Sequence, residues 1–197
     1  MSKADSASQK KERNKAIRWV VTIFLVTIVI SATISLVSEE IMAVSGMGVA
    51  FVILLAIILV GIVFDIIGVA VTSADERPFH SMAARKVPGA KEAIVLLRSA
   101  EKVSSICNDV VGDICGVVSG SASATIAVQI LNNFEFSWPR VVSLVMSALV
   151  AGLTVGGKAI GKTFAINSST AIVYGVGKTV YYLHHIPQLF RKNKKSK

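Results

Sequence analysis

Two long apolar runs near the N-terminus constrain this chain more than any other feature. Residues 16–37, AIRWVVTIFLVTIVISATISLV, contain one charged residue, and residues 46–64, GMGVAFVILLAIILVGIVF, contain none. About 20 consecutive apolar residues suffice to cross a bilayer as an α-helix. The composition agrees, because 53% of the 197 residues are hydrophobic and only 17% are charged, against about 25% charged in soluble domains. The sequence therefore predicts an all-α integral membrane protein.

Two weaker apolar segments, at about residues 103–131 and 139–155, bring the predicted number of transmembrane helices to four. The first span is predicted to be a retained anchor. Its apolar run exceeds the roughly 7–15 residues of a signal peptide, and no clear small-residue cleavage site follows it. Residues 1–15 are polar and basic and are predicted to be disordered, and residues 188–197 form a basic C-terminal tail.

Lysine and arginine residues are distributed asymmetrically around the four spans. They precede the first span, recur through residues 73–102 and end the chain in FRKNKKSK, whereas the segments SEEIMAVS and NNFEFSW have none. The positive-inside rule then places both termini and residues 73–102 in the cytoplasm, for a multi-pass protein of the plasma or inner membrane. The net charge of +9 is explained by basic ends that contact anionic lipid headgroups, so no nucleic-acid partner is expected.

Residues 73–102 are predicted to form two short helices broken at Pro88–Gly89, the second of them amphipathic, and residues 168–190 a further amphipathic helix. These helices are expected to lie along the membrane or against their neighbours. Two cysteines, Cys107 and Cys115, fall inside the third span and are expected to be free thiols packed as small apolar residues.

A stripe of small and polar residues runs along the third span. In an α-helix one face would carry Ser105, Asn108, Asp109, Gly112, Asp113 and Gly116. An aspartate at the bilayer centre costs about 2.5–3.5 kcal/mol on insertion scales, so this face should point into the bundle or to water. Asp65 and Lys158 are expected at a similar depth in spans two and four. This favours a polar or ion site over a structural network in which small residues only let helices approach.

Residues 156–163, GGKAIGKT, satisfy the phosphate-binding pattern GxxxxGK followed by Ser or Thr. That pattern needs a preceding strand in an α/β sheet, and here it follows a membrane span, so nucleotide binding is not expected. Gly156, Gly157 and Gly161 are instead predicted to break or loosen the helix, which is tolerated in a membrane only where the backbone is buried or lines a cavity.

Four segments, taken in order, resemble the transmembrane domain of the cyclin M/CorC family of magnesium transporters. The helix-end motif of that family aligns with FDIIGVAVTS, and its cytoplasmic helical pair with GAKEAIVLLRSAEKVSSI. Its Gly-Asn motif aligns with CNDVVG, and its Gly-Glu-Ile motif with GKAIGKT. The resemblance implies a CorC-like domain over residues 46–187, preceded here by an extra span and assembled as a homodimer. The family's regulatory CBS domains would begin where this chain ends, so regulation by nucleotide is not expected.

The resemblance also implies a dehydrated Mg²⁺ held by hydroxyls, the Asn of Gly-Asn and the Glu of Gly-Glu-Ile. Asn108 aligns with that Asn, and Gly157 with a glycine at a helix break. Three positions depart from the family: Asp65 replaces a serine, Gly68 a glutamate and Lys158 the glutamate of Gly-Glu-Ile. Lysine donates hydrogen bonds and accepts none, so it cannot be a metal ligand while protonated.

Two arrangements of the site remain open. In the first, Asp65, Asn108, Asp109 and Asp113 bind the cation with help from Ser105, and Lys158 at the edge replaces a coupled Na⁺ or H⁺. In the second, Lys158 pairs with the acids and closes the site. Mg²⁺ is therefore the expected transported ion, and no organic cofactor is expected.

A non-transporting scaffold or partner subunit, with purely structural Asp–Lys pairs, is the competing hypothesis. An enzyme fits least well. The sequence shows no nucleophile–base set, and its histidines (His80, His184 and His185) lack acid or cysteine partners at metal-ligand spacing.

Overall fold

The computed structural model describes residues 3–134 and 138–193, and every regular element within those two ranges is a helix. In chain order they are α1 (Lys3–Val44), α2 (Met47–Ser73), α3 (Arg77–Ala84), α4 (Ala90–Arg98), α5 (Ala100–Ser105), a π-helix (Ile106–Gly112), α6 (Asp113–Asn133), α7 (Pro139–Asn167) and α8 (Ser169–Asn193). The π-helix continues α5 into α6, so the three together form one rod.

Four helical segments of the described residues are long and apolar enough to span a membrane. They are Arg13–Met42, Met47–Ser73, Ala100–Asn133 and Pro139–Asn167. Their outward faces carry large apolar side chains, such as Val52, Leu144 and Ile160, with 67%, 70% and 75% of their surface exposed. An apolar exterior is what hydrocarbon, rather than water, would solvate. The predicted all-α class with four spans is confirmed at this level.

The first helix begins earlier than the sequence analysis predicts. Residues 3–15 are helical and continue directly into the first span, so the prediction of disorder is wrong for them, and residues 1 and 2 lie outside the described ranges. The segment contains four lysines, two alanines and one each of arginine, glutamate and glutamine, all of them good helix formers. Extending a helix that already exists adds one hydrogen bond per residue without a new nucleation step.

The fourth span is also longer than predicted, and its glycines do not break it. Helix α7 runs without interruption from Pro139 to Asn167, so residues 156–163 are helical rather than a phosphate-binding loop. Gly157 and Gly161 face α2 instead, where a Cβ atom would contact the Ile62 and Ile66 side chains. These glycines therefore allow close helix packing, and the prediction of a break is wrong.

Small residues set the register of α2 against its two neighbours. Along α2, Gly61 lies against Cys115 and Gly68 lies against Asn108, so the π-helix and α6 run antiparallel to α2. Both cysteines are buried free thiols, as predicted. Helix α7 runs parallel to α2, because Ile62 and Ile66 meet Gly157 and Gly161 in the same order. One face of α2 therefore meets two helices near its C-terminal end.

The short helices pack together at the end of the bundle where α2 terminates. The predicted pair is confirmed, with the break at Gly89, whose φ of 87° suits glycine. Helix α4 lies against α8 so closely that a Cβ at Gly177 would be 2.6 Å from the Gly89 carbonyl oxygen. Buried side chains from α2, α3, α4 and α8 fill the space between them, among them Val71, Phe79, Ala93 and Val173.

Candidate functional site

Asp65 is the buried centre of the candidate site. It lies on the face of α2 that meets the π-helix and α7, and only 6% of its surface is exposed. Gly112 of the π-helix lies directly beside it, since a Cβ there would be 3.6 Å from Asp65 Oδ1, an ordinary contact distance. The second carboxylate oxygen, Oδ2, is buried and has no hydrogen-bond partner. A buried unpaired carboxylate oxygen is costly, so this atom calls for a partner.

Lys158 of α7 is the nearest cation to this carboxylate. Its Nζ lies 3.6 Å from Asp65 Oδ1 and 3.7 Å from Asp113 Oδ1. Both distances exceed the roughly 2.7–2.9 Å of a charge-assisted hydrogen bond, so the ammonium sits between the two acids in loose ion pairs. Asp113 is far more open, with 73% of its side chain exposed. Two carboxylates and one ammonium leave one negative charge uncompensated.

Asn108 of the π-helix supplies a second buried oxygen, which lies opposite Gly68, one turn beyond Asp65 on α2. Its amide nitrogen donates to Ser104 Oγ at 3.2 Å. Its amide oxygen Oδ1 occupies the space that a side chain at Gly68 would fill, and it is buried without a hydrogen-bond partner. Since Asp65 and Gly68 are three residues apart on the same helix, the two unpaired oxygens lie on one face of α2.

The π-helix divides the predicted stripe into two groups. Asn108 and Gly112 face α2, while Asp109 is exposed and accepts a hydrogen bond of 2.8 Å from Ser105 Oγ. The prediction of one shared face is therefore wrong, because Asn108 and Asp109 point in different directions. The reason is geometric: a π-turn bonds residue i to i+5 and so holds more residues than an α-turn, and residues three apart, such as Ser105 and Asn108, no longer share a face.

Two polar residues of the described segments, Ser104 and Gln129, were not singled out by the sequence analysis. Ser104 holds the Asn108 amide, and Gly68 makes space for it. Gln129 lies near the opposite end of the third span, where its Nε2 donates to the Met42 carbonyl oxygen at 2.9 Å and its Oε1 is buried without a partner. The available signal for Gln129 is an amide side chain within the apolar run IAVQIL.

The site offers mixed donors rather than an all-carboxylate cage. Within residues 3–134 and 138–193, no group of three His, Cys, Asp or Glu side chains could share a metal ion. Mg²⁺, however, usually takes only one or two carboxylates and keeps several waters. One carboxylate from Asp65, the Asn108 amide oxygen and retained waters would match that preference.

Comparisons with protein-family models and with curated proteins found no match for this chain. What can be said of its function therefore starts from the geometry around Asp65, Asn108 and Lys158.

Proposed function

We propose that this protein binds Mg²⁺ between α2, the π-helix and α7 and conducts it across the membrane, as a relative of the cyclin M/CorC transporters with an altered site. The observation that carries the proposal is the pair of buried oxygens without partners, Asp65 Oδ2 and Asn108 Oδ1. Ionisable groups inside a membrane generally mark ion pathways or polar relays. Asn108 is also the position that aligns with an Mg²⁺-binding asparagine in the resemblance.

Oxygen acceptors without donors favour a cation over other ligands. A buried carboxylate or amide oxygen left unpaired costs about 1–3 kcal/mol or more. An anion would add repulsion from Asp65, and an apolar ligand would leave both oxygens unsatisfied. A hard cation that prefers oxygen ligands satisfies both atoms at once. The uncompensated negative charge of the Asp65–Asp113–Lys158 group acts in the same direction.

Lys158 serves in this proposal as a tethered cation at the edge of the site. It contacts Asp65 through Oδ1 and leaves Oδ2 available. An arriving Mg²⁺ would repel the ammonium and weaken its loose ion pairs with Asp65 and Asp113. Lys158 can thereby replace the Na⁺ or H⁺ that a transporter would otherwise couple to the metal.

The proposed orientation follows from the distribution of charge along the chain. Both termini and residues 73–102 lie in the cytoplasm, and the basic ends contact anionic lipid headgroups. Asp65 is eight residues from the end of α2 at Ser73, which is about 12 Å along the helix axis. The site therefore lies toward the cytoplasmic side of the bilayer, and the resemblance implies a homodimer.

A second candidate function is a non-transporting scaffold or partner subunit. The observation in its favour is that Lys158 lies within 3.7 Å of carboxylates from two helices. Such a bridge could hold α2, α6 and α7 together without any cation. The two functions differ in whether Mg²⁺ competes with Lys158 for the acids.

Flux through proteoliposomes separates the two functions. We expect vesicles that contain the purified native protein and a trapped Mg²⁺-sensitive dye to take up Mg²⁺, and Asn108→Ala to lower the rate by about tenfold because it removes a ligand. The control is Ser121→Ala, since Ser121 lies on α6 outside the site, and its uptake rate should equal that of the native protein. If the native protein takes up no Mg²⁺ but Lys158→Glu does, the lysine of the native protein closes the pathway. If the native protein and Lys158→Glu are both folded and neither takes up Mg²⁺, transport is contradicted and the scaffold function is favoured.

A further inference from the structure

The π-helix places the amide of Asn108 opposite Gly68, whereas the carboxylate of the next residue, Asp109, lies on the surface. Asn108 points toward α2, whereas the exposed Asp109 accepts a hydrogen bond from the nearby Ser105 hydroxyl. π-Helices are rare, are less regular than α-helices and occur frequently at functional sites. This one, Ile106–Gly112, spans the segment that faces Asp65.

Converting this segment to an α-helix would exchange the two side chains. Helix α6 is fixed by the packing of Ile114, Val118 and Ile126. A π-turn holds one residue more than the α-turn that would replace it, so the change shifts each residue upstream of α6 by one position. A π-to-α change with α6 held in place therefore moves Asp109 into the position opposite Gly68. Gly68 has no side chain, so either residue fits there.

Building on the cation site proposed above, we propose that Asp109 is a second carboxylate ligand, brought to the site when the π-helix converts to an α-helix around a bound divalent cation. In the π-helical form, Asp65 and Asn108 present one carboxylate and one amide. In the α-helical form, Asp65 and Asp109 present two carboxylates, which lies at the upper end of what Mg²⁺ usually takes. The added negative charge offsets the second positive charge of the metal.

The neighbouring structure can absorb the one-residue displacement that this change requires. Residues upstream of the π-helix must rotate and advance, and α5 is only six residues long. Ser99, with φ −111° and ψ 27°, interrupts the helix between α4 and α5 and so provides a joint. An open surface depression lies at this joint, lined by Leu97, Arg98, Ser99, Ala100, Glu101 and Lys102. Helix α5 therefore has a joint at its start and open space beside that joint.

The test compares Mg²⁺ affinity in four forms of the full chain, measured by calorimetry in lipid nanodiscs. The native protein should bind Mg²⁺, and Asp65→Asn should abolish binding. Asp109→Asn should weaken binding by about tenfold or more, since ligand charge sets affinity. Glu40→Gln, which removes an exposed carboxylate of α1, should change it by less than about threefold because exposed charges are screened.

The four results distinguish the two proposals. Absence of binding by the native protein would overturn the cation site and the role of Asp109 with it. Loss of binding in Asp65→Asn together with a native-like Asp109→Asn would keep the site but overturn the role of Asp109. Equal losses in Asp109→Asn and Glu40→Gln would also overturn that role, because they would show only a general effect of surface charge.

Deletion of Asn108 gives a second, independent test. Removing one residue should turn the π-helix into a continuous α-helix with Asp109 fixed opposite Gly68. This variant should keep its helix content by circular dichroism and bind Mg²⁺ about tenfold more tightly than the native protein, because the second carboxylate no longer depends on a conformational change. Adding Asp109→Asn should reverse the gain. A deletion variant that unfolds, or one whose affinity is unaffected by Asp109→Asn, would overturn the proposal.

Discussion

Replacing Lys158 with methionine should destabilise the protein by about 3 kcal/mol, because breaking a buried ion pair leaves an uncompensated charge. The pair in question is Lys158 with Asp65, whose side chains are 21% and 8% exposed. Methionine retains most of the lysine volume, so the loss reports on charge rather than on packing. The free energy of unfolding of the detergent-solubilised protein, measured by titration with sodium dodecyl sulfate, gives the value.

Two further variants show that the loss belongs to the Asp65–Lys158 pair. Lys162→Met removes an exposed lysine one turn further along α7 and should stay within about 0.5 kcal/mol of the native protein. The double variant Asp65→Asn/Lys158→Met should recover about 2 kcal/mol relative to Lys158→Met, since the buried charge is then absent. Additive losses would mean that the two side chains are not coupled.

Replacing Gly68 with alanine should lower Mg²⁺ affinity by about tenfold or more, because the added Cβ would displace the ligand that lies opposite it, whether Asn108 in the π-helical form or Asp109 in the α-helical form. A Cβ at position 68 would lie 2.7 Å from Asn108 Cγ and closer still to Oδ1. The asparagine side chain is short, so it can relieve this overlap only by turning away from α2. Calorimetric titration with Mg²⁺ measures the loss.

Gly116→Ala is the matched control for this substitution. Gly116 lies on α6, and a Cβ added there would meet no atom within 4 Å. Its affinity for Mg²⁺ should therefore equal that of the native protein, and alanine should favour the helix slightly. If the two glycine variants bind equally well, the side chain opposite Gly68 takes no part in the site.

The features that follow from hydropathy and from helix-breaking residues could be predicted from the sequence. Long apolar runs indicate helices that span a membrane, so the four spans appear where expected. Pro88–Gly89 marks the break between α3 and α4, because proline and glycine disfavour a continuous helix there. The positions of Asp65 and Lys158 at similar depth also follow from counting residues within spans two and four, and the two side chains do meet.

The features that depend on neighbours in space could not be predicted. A glycine in a membrane helix can break it or pack closely, and Gly157 packs because Ile62 lies opposite. The π-helix at Ile106–Gly112 has no sequence signature, since helical periodicity assumes 3.6 residues per turn throughout. For the same reason the exposure of Asp109 and the burial of the Asn108 oxygen emerge only from the structure. The transport function and the bound ion remain predictions.

Mg²⁺ binding by the native protein and by Asp65→Asn, measured side by side in lipid nanodiscs, tests the central claim most directly. Asp65 contributes the buried carboxylate with an unpaired oxygen, and asparagine keeps its shape while removing its charge. We expect saturable binding by the native protein, and an affinity at least about tenfold lower for the variant because ligand charge sets the strength of the site. Equal affinities, or no saturable binding by the folded native protein, would contradict a cation site between α2, the π-helix and α7.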